Sequence, residues 1–211
     1  MSRFRQAISE GDGISVIPLI AGEVEELAAA AEHGGAEAIA VASPAEAARA
    51  RGASALPVLV RMPIVFRDLV GGLDERGAAD AVVVVYDDLV DDDALLEELL
   101  ADAEELDLDW VLDVRDEEEL EHALERVDPD IVLISRRDGA SDEEELERAL
   151  DLLPDVPAGK LVVAECDLVA REQVVALERA GVDALLVRNL TAMAEDFSRA
   201  VEELVGGAPP T

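Results

Sequence analysis

Asp113 and Glu165 stand at or just past the ends of two short apolar runs, Trp110–Val114 and Leu161–Ala164. Two carboxylates brought into one site can divide the work of general base and general acid when their surroundings push their pKa values apart. In so acidic a chain they can equally be two rim acids balanced by arginine. Arg61, Arg115, Arg136, Arg137 and Arg188 also follow apolar runs, as do Tyr86, Asp87, Ser135, Cys166 and Asn189. A guanidinium grips phosphate or carboxylate with two parallel hydrogen bonds, so arginines gathered there would favour a small anionic ligand. The competing reading is that they pair with Asp113, Asp116, Asp138, Glu165 and Asp167 and only hold a rim together. Cys166 has no histidine near it, because His33 and His122 both fall on helical stretches. Neither a Cys–His pair nor a metal site is therefore expected, and no cofactor is called for.

These residues need a frame that brings run ends to one place. Eight apolar runs alternate with helical stretches: Ile14–Ile20, Ala38–Val41, Pro57–Val60, Ala81–Val85, Trp110–Val114, Ile131–Ser135, Leu161–Ala164 and Ala184–Val187. The clearest helices are Asp91–Leu106, Asp116–Val127, Asp142–Leu153, Ala170–Ala180 and Ala194–Val205, with Gly52, Gly77, Pro129, Pro154 and Gly181 as expected stops. Buried strands alternating with helices imply a parallel sheet, and eight right-handed units can close it. The expected fold is α/β, one compact (β/α)8 TIM barrel over residues 1–211. Residues 1–13 form a short lead-in and residues 206–211 a flexible tail. A doubly wound open sheet is the rival, but no G-x-G-x-x-G follows the first strand. In a barrel, side chains at the carboxyl ends of the strands face the site, which is where the candidates lie. Parity turns Arg61, Asp113, Ser135 and Glu165 inward, with Arg137 and Arg188 on the loops above. Tyr86 is expected at the mouth, and Trp110 outside, under the helices.

Composition bounds the setting. Half of the 211 residues are hydrophobic but only 2% are aromatic, which suits buried strands of Ala, Val and Leu. No run approaches the roughly 18 apolar residues of a membrane span, and Met1–Gln6 lacks the apolar segment of a secretory signal. A single cysteine, Cys166, permits no internal disulfide, so a cytoplasmic setting is expected. Fifty acidic residues against seventeen basic give a formal charge of −33. Lys160 is the only lysine. With acids spread along the whole chain, a salt-loaded cytoplasm explains the charge better than an acidic tail, and nucleic acid is an unsuitable partner. Stability is expected to climb as potassium chloride rises from tens of millimolar to the molar range, because screening weakens the repulsion and salting-out salts also strengthen apolar burial. A melting temperature flat over that range removes the high-salt reading.

The motifs carry a resemblance. Val111-Leu112-Asp113-Val114-Arg115-Asp116-Glu117-Glu118-Glu119-Leu120 is similar to the L-V-E-V-H-D-E-E-E-L of indole-3-glycerol phosphate synthases. Asp130-Ile131-Val132-Leu133-Ile134-Ser135-Arg136-Arg137-Asp138 resembles that family's D-I-I-G-I-N-N-R-D, and Val163-Ala164-Glu165-Cys166-Asp167-Leu168 its V-S-E-S-G-I. Ile14–Ile17, Leu56–Leu59 and Gly181–Val187 look like its first, third and last strands, so the likeness covers most of the chain. It implies a carboxy-lyase of tryptophan biosynthesis, which closes an indole ring on an anthranilate-derived ribulose phosphate with loss of water and carbon dioxide. It also implies two lysines, on strands one and three, acidic residues on strands one and five, and a phosphate cradle from strands seven and eight.

Those positions are mostly changed. Ala21 and Arg61 stand for the lysines, and Lys160 enters strand seven at the opposite end. Leu19 and the shorter Asp113 stand for the two glutamates, and Ser135-Arg136 for the paired asparagines. Cys166-Asp167 and Arg188-Asn189-Leu190 replace the phosphate cradle, while Arg137, Asp138 and Glu165 are retained. The first expectation is a diverged homologue without the synthase reaction, binding a small anion or serving as a regulatory partner of a tryptophan-pathway enzyme, with homo-oligomerisation left open. The alternatives are an enzyme using Asp113 and Glu165 on a small phosphorylated or carboxylated substrate, with Arg61 holding its anion, and a retained synthase.

Overall fold

The computed structural model describes residues 2–11, 13–61, 77–86, 93–135, 142–167, 170–190 and 196–206. Its strands are β1 (Ser15–Pro18), β2 (Ile39–Val41), β3 (Val58–Val60), β4 (Ala81–Val85), β5 (Asp109–Val114), β6 (Ile131–Ile134), β7 (Leu161–Cys166) and β8 (Ala184–Val187). All pair in parallel, in the order β1-β8-β7-β6-β5-β4-β3-β2. The seam between β1 and β2 is joined by one bridge, Leu19 to Ala40, with the Ile20 N–H donating to the Ala40 carbonyl at 2.9 Å. The architecture is a nearly closed (β/α)8 barrel.

Period-two alternation sorts each strand into two faces. Ile17, Ala40, Leu59, Val83, Val111, Leu133, Val163 and Leu186 meet inside the barrel. Val16, Val58, Val60, Val82, Val84, Leu112, Val132, Leu185 and Val187 face outward into a second apolar layer. That layer is completed by helices α2 (Val24–His33), α3 (Pro44–Ala53), α4 (Asp93–Leu106), α5 (Glu117–Arg126), α7 (Arg171–Ala180) and α8 (Phe197–Val205). Helix α6 (Asp142–Leu152) covers Ile134 and Val162 through Ala149 and Leu152. Strands buried on both faces explain why the runs read as continuous Val, Ile, Leu and Ala. Trp110 packs against the outer layer, as parity requires. Among the described residues no helix is long and apolar enough to cross a membrane.

The lead-in does more than expected. Arg3–Ser9 forms a helix, α1, whose Phe4 and Ile8 are buried in the interior cluster and close the amino end of the barrel. Arg3 pairs with Asp80 at 3.4 Å, and Arg5 with Asp130 at 2.5 Å and Asp109 at 3.5 Å, so acids at the starts of three strands hold the plug. Further carboxylates at this end take amides the ladders leave over. Glu37 accepts the Val16 N–H, Asp80 that of Val58, and Asp183 that of Val162, at 2.7–2.8 Å. Burial pushes the Glu37 and Asp183 carboxyls up, and the hydrogen bonds from Val16 and Val162 oppose it. Gly52, expected to stop a helix, lies inside α3, which runs on to Ala53. A side chain there would meet nothing, so the helix loses only a little propensity near its end. Gly181 does end α7, at φ +104°, where a left-handed residue is needed.

Candidate functional site

The carboxyl ends of the odd-numbered strands bring four side chains to one level, Leu19, Arg61, Asp113 and Glu165, the alternate-strand layering of a filled barrel. Leu19 packs on the interior cluster. Arg61, the first residue past β3, is held by its N–H to the Val41 carbonyl at 2.9 Å. Its Nη2 donates to Glu165 Oε2 at 2.8 Å and lies 3.7 Å from Asp113 Oδ2. Both acids are buried, Asp113 at 2% exposure and Glu165 at 6%. One guanidinium therefore serves two buried carboxylates drawn from the opposite wall.

The burial registers on Asp113. Burial pushes its carboxyl up to about 6, against the Ser135 hydroxyl and the Arg61 and Arg115 charges, with the Glu165 charge adding to the rise. Asp113 Oδ1 and Arg61 Nε are buried without a hydrogen-bond partner among the described residues. Ser135, buried at the end of β6, is brought to Asp113 as parity predicted. Above this level the next loops pair among themselves. Arg188 Nε donates to Asp167 Oδ1 at 3.2 Å, and Asn189 Nδ2 to the same oxygen at 2.7 Å. Asp167 thus occupies the two side chains nearest the position where a phosphate cradle was implied.

Other candidates fall elsewhere. Arg137 lies outside the described residues, as do Arg136, Asp138 and Asp87. Tyr86 is not at the mouth, because parity turns it outward with Val82 and Val84. It is fully buried in the outer layer, with the Arg126 guanidinium 5.9 Å from its ring centroid. Cys166 also faces that layer, one residue beyond the inward Glu165. His33 and His122 are exposed on α2 and α5. Ala21 is exposed, and Lys160 sits at the amino end of β7, paired with Asp128. Among the described residues no group of three or more His, Cys, Asp or Glu side chains could hold a metal ion.

One contributor was missed from the sequence. Arg148 of α6 reaches the Arg115 carbonyl at 2.6 Å, the Ser135 carbonyl, and the Glu145 carboxylate. It follows no strand, so the strand-end rule passes it over. Its one sequence signal was the Glu145-x-x-Arg148 spacing, which sets an acid and a base on one helix face.

Residues 20–204 match the family described as indole-3-glycerol phosphate synthase. The synthase of Acidithiobacillus ferrooxidans is 39% identical over 109 residues, 52% of this chain and 40% of that protein. The synthase of Campylobacter fetus subsp. fetus is 31% identical over 128 residues, 61% and 48%. The chain thus matches less than half the length of these curated relatives. Among solved structures, thiamine phosphate pyrophosphorylase from Pyrococcus furiosus superposes with a TM-score of 0.63 at 22% identity, over 90% of this chain and 93% of that one. A variant tryptophan synthase α-subunit from the same organism gives 0.68 at 17% identity, over 91% and 98%. Likeness at that identity speaks for the barrel alone, whereas the family match follows the sequence from the end of β1 to α8. The chain belongs to the indole-3-glycerol phosphate synthase family.

Proposed function

We propose that this family member no longer closes the indole ring, and that its barrel serves as a binding or regulatory protein. The observation that carries the reading is the state of Arg61. It stands where the resemblance implies a strand-three lysine, and it is engaged by Glu165 at 2.8 Å and Asp113 at 3.7 Å. A guanidinium stays charged at any working pH, so it cannot hand a proton to a leaving hydroxyl as an ammonium can. The strand-one position is Ala21, and the only lysine is at the far end of the barrel. A ligand anion would have to displace Glu165 from Arg61 or Asp167 from Arg188. A tryptophan-pathway enzyme is the partner the family relationship suggests.

The test is the growth of indole fluorescence when pure protein in molar potassium chloride meets the synthase substrate. No ring closure is expected. Turnover near one per second, an ordinary enzyme rate, overturns the reading. A second reading rests on Asp113. A buried carboxyl near pH 6 beside an arginine-held carboxylate is the arrangement of an acid–base pair. It favours an enzyme acting on a small phosphorylated or carboxylated substrate, with Arg61 holding that anion and Asp113 moving the proton.

A further inference from the structure

The amino end of the barrel carries a cleft that shares no residue with the mouth. It lies between α1 and the turn that joins α4 to β5, with a volume of about 470 Å³, the size of a small-molecule site. Trp110, Leu100, Ala103 and Leu108 make its apolar wall. Parity turns Trp110 outward at the start of β5, and α4 ends without covering it fully, so the indole is only half-buried. The wall on the α1 side is already satisfied. Asp109 is buried and accepts the Arg5 N–H at 3.1 Å and the Ser2 hydroxyl. The Arg5 guanidinium is met by Asp130 at 2.5 Å and Asp109 at 3.5 Å. Among the described residues that line the cleft, Arg5 is the only cation.

Two carboxylates remain. Glu104 and Asp107 line the same cleft, and among the described residues neither side chain takes part in an ion pair or a hydrogen bond. The turn itself holds Asp107 in place. At the end of α4 the Leu108 N–H donates to the Ala103 carbonyl at 2.9 Å and the Asp107 N–H to the Glu104 carbonyl at 3.2 Å, with Asp107 at φ +58°. Glycine takes that left-handed position without strain, and this chain has an acid there instead. An apolar wall containing an indole, rimmed by carboxylates that no cation balances, complements an organic cation. The ammonium meets the acids, and the body covers the leucines and the electron-rich indole face. We propose that this cleft binds a small primary amine with an aryl or alkyl body, Glu104 and Asp107 taking the ammonium and Trp110 the body. The site lies at the opposite end of the barrel from Arg61, so it stands whether or not ring closure is lost.

The experiment follows Trp110 fluorescence as phenethylamine is added to the full chain in molar potassium chloride at neutral pH. Trp110 is the only tryptophan, so the signal has one source. A saturable change in the millimolar range is expected, with phenethyl alcohol about fivefold weaker and phenylacetate weaker still. Asp107→Gly should weaken the amine about threefold and leave the melting temperature unchanged or raised, because glycine relieves the left-handed position. Affinity lost from a protein of equal or greater stability is not damage to the fold. Glu104→Gln should act alike, and the two together should bind the amine no better than the alcohol. Glu118→Gln with Glu121→Gln, on the first turns of α5 beyond the carboxyl end of β5, should leave the affinity as it was. Equal weakening by that remote pair makes the amine a mere counterion of an acidic protein and overturns the proposal. So does an alcohol that binds as tightly as the amine, an affinity untouched by Asp107→Gly and Glu104→Gln together, or a signal that does not saturate.

Discussion

Arg61→Met is expected to destabilise the barrel by about 3 kcal/mol, the usual loss when one member of a buried ion pair is removed. The substitution keeps much of the aliphatic stem, so packing changes little while Asp113 and Glu165 lose the cation they share. Both acids are almost fully buried, and water cannot take over the role. Part of the loss is recoverable by protonation, since Asp113 already sits near pH 6 and without Arg61 rises further. The penalty should therefore be larger at pH 8 than at pH 5. Arg188→Met supplies the comparison. Its pair with Asp167 is about one-third exposed on the arginine side, so that loss should be about 0–1 kcal/mol. Denaturant unfolding in molar potassium chloride measures both, with sulfate affinity followed in parallel. If the arginines are instead reserved for an anionic ligand, Arg61→Met leaves stability unchanged or better and abolishes sulfate binding. Unchanged stability together with unchanged sulfate affinity removes both accounts of the mouth.

The arrangement around Arg61 was legible in the sequence because it follows from parity alone. Once eight runs are taken as barrel strands, alternation turns Arg61, Asp113, Ser135 and Glu165 inward and sends Trp110 out, with no knowledge of packing. The same rule should have excluded Tyr86, which lies an even number of residues from the outward Val82 and Val84. Its place just past the end of β4, taken without its register, put it at the mouth. Strand limits agreed to within a few residues, since a buried parallel strand is a continuous apolar run with charged or turn residues at either end. Helix α1 was not legible. Seven residues with two large apolar side chains carry too little period to be told from a loop, and the helix exists because the open end of a barrel accepts Phe4 and Ile8. Arg148 was hidden for a different reason. Its partners are backbone carbonyls of two other segments, and a carbonyl leaves no trace in a residue pattern.

Asp113→Asn is expected to stabilise the protein above pH 6 and to do so less and less as the pH falls toward 4. The sign follows from the direction of the shift. The Asp113 carboxyl is pushed up to about 6 in the folded barrel against the ordinary 3.8 of an aspartate, so between those values the native state holds a proton that the unfolded chain has released. Stability then falls as pH rises through that window, and the favourable contribution is complete only below the unfolded value. A displacement of about two units corresponds to about 3 kcal/mol, at 1.36 kcal/mol per unit. Asparagine keeps the size and a hydrogen-bonding oxygen without the buried charge, and Arg61 retains Glu165 at 2.8 Å. Two buried carboxylates share the Arg61 guanidinium, and the variant leaves it one. Absolute curves mix many groups. Asp109, Glu37 and Asp183 are also raised by burial and act with the same sign. Glu25, drawn down to about 2 by its hydrogen bond from Arg49, acts with the opposite sign and is weakened by exposure and salt. The quantity to measure is therefore the difference in unfolding free energy between parent and Asp113→Asn, at fixed molar potassium chloride, from pH 4 to 8. A difference that grows with pH and levels off above 6 places the titration at Asp113. A difference independent of pH across that range would mean that the carboxylate at the centre of the mouth carries its charge throughout, with Arg61 and Ser135 sufficient to hold it.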